Sequence, residues 1–130
     1  MAVAFTRDIS PDEFERYITE AISAVPARIR RNIRNVAFLI DAETEPTGPL
    51  LGRYQGIPLT RRSSGYSGVL PDTITIYRQP IERQAGPERQ AVRRLVHRVV
   101  HHEIGHYFGF TETEVRRWEQ GRRHRSGASV

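Results

Sequence analysis

One long helical pattern in the C-terminal half constrains the fold of this chain more than any other feature. It begins after Gly86 and Pro87 and ends at Gly109, because glycine readily takes the left-handed conformation found at helix ends. Its main stripe is formed by Ala91, Leu95, Val99, His102 and His106. The pattern predicts a long helix that packs on a core and carries histidines near its C-terminal end.

Two of these histidines have the spacing of a metal-binding pair. His102 and His106 are four residues apart, so in a helix they are offset by about 40° and one turn, and both rings can reach one ion. Zinc suits the pair, because nitrogen ligands bind it at about 2.0–2.1 Å. Glu103 points about 100° away from His102 and can hold a water and take its proton. The string HEIGH therefore fits the H-E-x-x-H motif.

A second histidine pair and a purely structural interpretation compete with this site. His97 and His101 are also four residues apart, but Arg98 stands where the base would be. A cation there would repel a metal and could not accept a proton. We expect this pair to face solvent or to orient a metal ligand. The structural alternative for His102 and His106 is that they are surface histidines of an amphipathic helix.

The residues after the helix supply a candidate third ligand. HEIGHYFGFTE has the form H-E-x-x-H-x-x-G-x-x-E, in which Gly109 lets the chain turn back and Glu112 holds the third-ligand position. The chain has no cysteine, so a metal must bind histidine, carboxylate or water. Two histidines, a carboxylate and a water form an open catalytic site. Glu112 could instead be a charge at the start of the last helix, and Glu114 is the next candidate.

Helical patterns also mark the two ends of the chain. Ser10 is a good N-cap and Pro11 suits the first helical position, so SPDEFERYITEAISAVP predicts a helix with one apolar stripe. Pro26 starts a second, short helix that extends to about Arg31. A last short helix is expected in ETEVRRWEQ, followed by a flexible tail over about residues 121–130.

Strand patterns lie between these helices. NVAFLID is a continuous apolar run that predicts a buried strand, and the alternation in DTITIYRQ predicts a strand half-covered by the core, which Pro80 ends. Residues 43–68 lack periodicity, apart from a possible short strand around Gly52–Ile57, and a loop of this length is more often functional than a short one. The patterns together predict an α+β protein with a single domain over residues 1–130.

Composition limits the class of protein. The 130 residues fit one domain, the N-terminus lacks the apolar core of a signal peptide, and no apolar run approaches the roughly 20 residues of a membrane span. We therefore expect a soluble cytoplasmic protein. The formal net charge is +5, with much of the positive charge on arginine. Because the arginines lack interleaved aromatic residues and a known nucleic-acid motif, we do not expect nucleic-acid binding.

The chain resembles the small bacterial zincin-like metallopeptidases, which have a minimal metalloprotease fold. Three stretches carry the resemblance: SPDEFERYITEAISAVP, LLGRYQGIPLTRRS with the following YSGVLPDTITIYRQPI, and VVHHEIGHYFGF. The family implies a compact zincin-like domain in which a small mixed sheet packs on the active-site helix and on N-terminal helices. By this resemblance His102, His106 and Glu112 are ligands of one zinc ion per chain, and Glu103 is the general base for hydrolysis of a peptide or protein substrate.

The resulting mechanism is zinc-assisted hydrolysis of a peptide bond, in which Glu103 moves the proton from water to the leaving amine. Thr73–Tyr77 is a candidate edge strand for an extended peptide. Residues 43–68 form either one wall of the cleft or a passive surface loop. A tyrosine or arginine should stabilise the oxyanion. The tyrosine candidates are Tyr54, Tyr66, Tyr77 and Tyr107.

Two other functions stay open at this stage. A zinc-containing binding module, with little or no turnover, would hold an acidic partner or nucleic acid through arginines. Candidates for that role are Arg93, Arg94, Arg98 and Arg122–Arg123. A zinc site that only stabilises the fold would need no base, so the presence of Glu103 argues against it.

Overall fold

The computed structural model describes residues 9–43, 50–58, 70–111, 113, 114, 116 and 117. Within them the helices are α1 (Pro11–Ser23), α2 (Ala27–Arg30), α3 (Arg78–Ala85) and α4 (Arg89–Tyr107). The strands are β1 (Val36–Asp41), β2 (Gly52–Gln55) and β3 (Asp72–Tyr77). Helices and a small sheet form one compact unit, so the predicted α+β class is confirmed.

The N-terminal helices begin where their capping residues predict. The Ser10 hydroxyl accepts a hydrogen bond from the Glu13 N–H at 3.1 Å, and Pro11 occupies the first position of α1. The predicted apolar stripe of α1 is buried and packs against α4. The short helix α2 follows Pro26, as expected.

The strands form one mixed sheet in the order β1–β3–β2. β1 pairs with β3 in parallel, and β2 pairs with β3 in antiparallel, with Gly52 opposite Ile76. The prediction that Thr73–Tyr77 is an edge strand is wrong, because both of its sides are paired. The prediction that only one face of it is covered is also wrong, since Thr75 and Tyr77 are buried as well as the isoleucines.

Strand β1 forms where it was predicted but is less buried than expected. Leu39 and Ile40 are 48% and 40% exposed, whereas the first three residues of the strand are partly buried. β1 lies at one edge of the described sheet, because only β3 pairs with it there. The apolar run therefore predicted a strand correctly without predicting its position in the sheet.

A helix that the sequence patterns missed follows β3 directly. α3 begins at Arg78, carries Pro80 in its first turn and ends before Gly86, which has a φ of +89°. Proline is tolerated in a first turn, where its missing N–H would have no helical partner. Arg78 fixes α3 to the N-terminal region, because its guanidinium donates to the Ile9 carbonyl and lies 5.4 Å from the centroid of the Phe14 ring.

The hydrophobic core lies between α1, α4 and the sheet. Its fully buried side chains include Phe14, Ile74, Ile76, Val96 and Val100. α4 crosses this core and contacts both β3 and β2. The histidine-bearing end of α4 is therefore supported by the sheet on one side and by α1 on the other. Among the described helices, none has the length and apolar character needed to cross a membrane.

Some predicted segments lie wholly or partly outside the described residues. They include much of the segment 43–68 and the tail at 121–130, whereas the short strand predicted around Gly52–Ile57 is β2. Of the predicted last helix, Thr113, Glu114, Arg116 and Arg117 are described, and they are helical.

Candidate metal centre

The last two turns of α4 bring His102 and His106 together. Their Nε2 atoms are 3.2 Å apart, and their ring centroids are 4.8 Å apart. Two nitrogen atoms bound to one zinc at about 2.0–2.1 Å with a tetrahedral angle lie about 3.3 Å from each other. The two side chains therefore fit one zinc ion.

The end of α4 orients His106. Gly109 has a φ of +90°, its N–H donates to the His106 carbonyl at 2.9 Å, and the Phe110 N–H donates to the Gly105 carbonyl at 3.0 Å. This Schellman motif places the Phe110 carbonyl 3.1 Å from His106 Nδ1. The Nδ1–H can donate to that carbonyl, and Nε2, which lies near His102, is then the deprotonated nitrogen that a metal ligand requires.

Glu103 lies where α4 packs on β2. The residue is 7% exposed, and a Cβ built on Gly52 would lie 3.3 Å from Glu103 Cγ and 2.6 Å from Val99 Cγ1. The strand can come this close to the helix because position 52 is a glycine. Sequence reasoning did not identify Gly52 as part of the site, although a glycine inside a short strand pattern is a known sign of close backbone approach.

An open cleft of about 260 Å³ borders both Glu103 and His106. Its other lining residues are Tyr54, Pro58, Gly109 and Phe110. The lining is more polar than apolar and combines the side chains of Glu103 and His106 with the rings of Tyr54 and Phe110. Pro58 belongs to the segment 43–68, so this segment forms part of the cleft wall, which favours the first of the two interpretations of that loop.

Tyr54 is the tyrosine candidate that lines the cleft. Its hydroxyl donates to Asp72 Oδ2 at 2.6 Å, and Asp72 is buried at the start of β3. The carboxylate therefore fixes the position of the ring in the cleft wall. Asp72 was not among the predicted site residues, because an acidic residue at the start of a strand has no distinctive spacing.

The other tyrosine candidates lie elsewhere. Tyr107 is almost fully buried, and its hydroxyl accepts from the Arg34 N–H and lies within 3.2 Å of the Asn32 and Arg34 carbonyls. It therefore holds the turn between α2 and β1. Tyr77 is buried in the sheet, and Tyr66 lies outside the described residues.

The competing histidines face α1. His101 is 8% exposed, and its Nε2 lies 2.7 Å from the Ala21 carbonyl in the last turn of α1, where carbonyls lack regular helical partners. His97 Nε2 lies 3.6 Å from Glu20 Oε1. The pair was predicted to face solvent or to orient a metal ligand. The first alternative is wrong for His101, because the side chain joins two helices inside the fold.

The two candidates for the third ligand differ in what the structure describes. Glu112 lies outside the described residues. Glu114 Oε1 accepts from the Thr111 N–H at 2.8 Å, and Thr111 Oγ1 accepts from the Glu114 N–H at 3.2 Å, which forms a capping box. The Thr111 N–H holds the pKa of the Glu114 carboxyl below its ordinary value. Within the described part of the chain, no three histidine or acidic side chains are grouped to hold a metal.

A helix that carries a histidine pair, with one of these histidines and a buried glutamate at an open cleft, is typical of metal-dependent hydrolases. The sequence model of zincin-like metallopeptidases matches residues 28–122, which include the whole sheet, α3 and α4. The chain therefore belongs to the zincin-like metallopeptidase family, and the resemblance to this family is confirmed over the matched residues, which do not include the N-terminal stretch SPDEFERYITEAISAVP. No curated protein matches the chain.

Gly52→Ala should lower the free energy of unfolding by about 1–3 kcal/mol, because the added methyl overlaps Val99 and presses on Glu103. Urea unfolding followed by circular dichroism measures the change. Arg53→Ala is the control on the same strand, and since this side chain is exposed, the expected change is below about 0.5 kcal/mol. Equal stability of Gly52→Ala and the unmodified protein would contradict the close packing of β2 on α4.

Proposed function

We propose that this protein is a zinc-dependent peptidase in which His102, His106 and Glu112 bind the metal and Glu103 is the general base. One observation carries the proposal: Glu103 and His106 border the same cleft, and the Nε2 atoms of His102 and His106 have the spacing of a zinc-bound pair. Membership of a metallopeptidase family supports the reaction class.

Glu103 is positioned to transfer the proton. When bound, zinc supplies Lewis-acid polarisation of the substrate carbonyl and increases the acidity of water. Glu103 accepts the proton of the attacking water and then donates it to the leaving amine. Its packing against Gly52 limits the movement of the side chain, so the carboxylate is presented to the cleft in a defined place.

Glu112 is a better candidate for the third ligand than Glu114. The Glu114 carboxylate is engaged by the Thr111 N–H, and its transfer to a metal would break the capping box. Glu112 follows Thr111 in sequence and lies three residues after Gly109, the spacing of the H-E-x-x-H-x-x-G-x-x-E motif. A carboxylate oxygen binds zinc at about 2.0–2.2 Å.

An extended peptide substrate fits the edge formed by β2 rather than β3. Among the described strands β2 pairs with β3 only, and it is the strand that approaches Glu103. A peptide added to this edge would pass beside Gly52 and Tyr54. Backbone hydrogen bonds would hold any sequence there, while Tyr54 and Phe110 in the cleft wall would contact substrate side chains.

Purified protein should contain close to one zinc per chain, and His102→Ala and His106→Ala should each remove it. Each substitution leaves a single imidazole, which cannot hold the ion in the pair geometry. Elemental analysis after gel filtration measures the zinc content. His97→Ala is the matched control on the same helix, because this residue lies beside Glu20 and should keep the metal. Metal loss in His97→Ala with retention in His102→Ala would assign zinc to the other pair.

Glu112→Ala should lower the affinity for zinc by at least about tenfold. Loss of a residue that only hydrogen-bonds to a metal ligand commonly has that effect, and loss of a direct ligand should have at least as large a one. Glu114→Ala should leave the affinity for zinc nearly unchanged, because this substitution removes the capping box and not a metal ligand. Competition with a chromogenic chelator measures both. The opposite result, a normal affinity in Glu112→Ala and a weakened one in Glu114→Ala, would make Glu114 the ligand.

Glu103→Gln should keep zinc bound and lower hydrolysis by about 10²–10⁴-fold, because the amide has the size of the carboxylate but cannot accept the proton of water. A peptide library first identifies one cleaved substrate, and the turnover and the zinc content are then measured on the same sample. His97→Gln serves as the control for handling and contaminating protease. Undiminished hydrolysis by zinc-loaded Glu103→Gln would rule out the proposed base.

A further inference from the structure

In the described part of the chain, ion pairs engage both arginines of α3 and two of the four arginines of α4, but none of those in the segment around α2. The pairs are Arg78–Glu82, Arg83–Glu43, Arg89–Glu13 and Arg93–Glu20. In contrast, residues 21–40 contain four arginines and no acidic residue. None of these four arginines forms an ion pair with a carboxylate in the described part of the chain. Positive charge is therefore concentrated at residues 28–34.

Three of these arginines, Arg28, Arg31 and Arg34, form what we call the arginine face. Arg28 in α2 and Arg31 at its C-cap are three residues apart, so their side chains are neighbours on the helix surface. The Asn32 and Ile33 N–H groups then donate to carbonyls three residues earlier, both at 3.0 Å, which continues the helical turn toward Arg34. Arg34 Nε donates to the Arg31 backbone carbonyl at 3.4 Å, which holds the Arg34 side chain against the same turn. All three residues are exposed.

The backbone under the arginine face is fixed by other side chains. The fourth arginine, Arg30, donates through Nη1 to the Ser23 and Val25 carbonyls at 2.9 and 3.0 Å, at the C-terminal end of α1. Ile29 and Ile33 pack against the hydrophobic core. The arginine face is therefore a preorganised surface, and binding to it requires little ordering of the backbone.

Two contacts connect the arginine face to the cleft. Tyr107, the residue after His106, forms hydrogen bonds of 3.2 Å with the backbone of Arg34 and Asn32. Its ring packs edge-on against Tyr54, with 6.1 Å between the centroids, and Tyr54 lines the cleft. Tyr107 therefore joins the backbone of the arginine face to a residue of the cleft wall.

We propose that the arginine face binds an acidic segment of the polypeptide substrate whose scissile peptide bond lies in the cleft. The link to the cleft rests on the proposed peptidase function. Arginine suits this role, because its planar guanidinium matches a carboxylate with two parallel hydrogen bonds. Each exposed pair changes affinity by a factor of about 1.4–5, so three pairs together give roughly tenfold.

A polypeptide fits this surface better than a nucleic acid does. Proteins with strongly salt-dependent DNA binding contact about 6–10 phosphates, and single strands are commonly stacked on aromatic side chains. The arginine face has three cations, and residues 21–34 contain no aromatic residue. The neighbouring cleft belongs to a peptidase-family site, which also favours a polypeptide.

Binding is best measured on the Glu103→Gln protein, so that turnover does not consume the probe. The probe is a fluorescein-labelled dodecapeptide with four glutamates at one end and apolar residues at the other, and the reference peptide carries glutamine instead of glutamate. The test variant is Arg28→Gln/Arg31→Gln/Arg34→Gln. The matched control removes the same charge from exposed arginines of α1 and α4, as Arg16→Gln/Arg94→Gln/Arg98→Gln.

The test variant should bind the acidic probe about tenfold more weakly, with less than about a twofold change for the control variant and for the reference peptide. Equal weakening by both variants, or no weakening, would overturn the proposal. The proposal would also be overturned if a labelled 12-nucleotide single strand bound more tightly than the acidic probe and the test variant lost that binding.

If the unmodified protein cleaves no peptide while the binding difference holds, the peptidase function fails and the acidic-segment site stands. If the unmodified protein cleaves the acidic probe and the test variant cleaves it with the same kcat/KM, the peptidase function stands and the acidic-segment site fails.

Discussion

The end of α4 at Gly109 is the constraint on which the candidate site depends. A φ of +90° is costly for residues with a Cβ, so the glycine allows the Schellman motif that turns the chain back toward the helix. The turn places the Phe110 carbonyl against His106 and puts Gly109 and Phe110 into the cleft wall. It also leads directly to Thr111, where the capping box of the next helical segment begins. One backbone position thus places a carbonyl acceptor beside a candidate ligand and sets the direction of the chain that follows.

Local signals allowed the helices around the site to be predicted, whereas the position of the strands depended on distant partners. The cap at Ser10 and the end at Gly109 act within one or two turns, so the sequence determines them directly. The burial of β3 and the exposure of Leu39 depend on the order of the strands, which no single pattern contains. The role of Gly52 also arises only when β2 meets α4, and the third ligand depends on residues that the structure does not describe.

The histidines of α4 show why spacing alone does not identify a metal site. Two pairs have the same four-residue separation, but one residue of helix corresponds to a rotation of about 100°. That rotation turns His101 toward the Ala21 carbonyl of α1, where it satisfies a polar group at a helix end. The same rotation turns His102 away from α1 and places its Nε2 next to that of His106. Whether a histidine of α4 is structural or a candidate ligand therefore depends on the element that it faces, and not on its residue type.

Attachment of α4 on several sides links the candidate metal centre to the stability of the domain. His101 joins the helix to α1, Tyr107 joins it to the turn before β1, and Gly52 brings β2 against Glu103. These contacts fix the helix that carries the two candidate metal-binding histidines, so little further ordering is needed when a ligand binds. By the same linkage, a ligand that binds only the folded chain at 100 times its Kd stabilises the fold by about 2.7 kcal/mol.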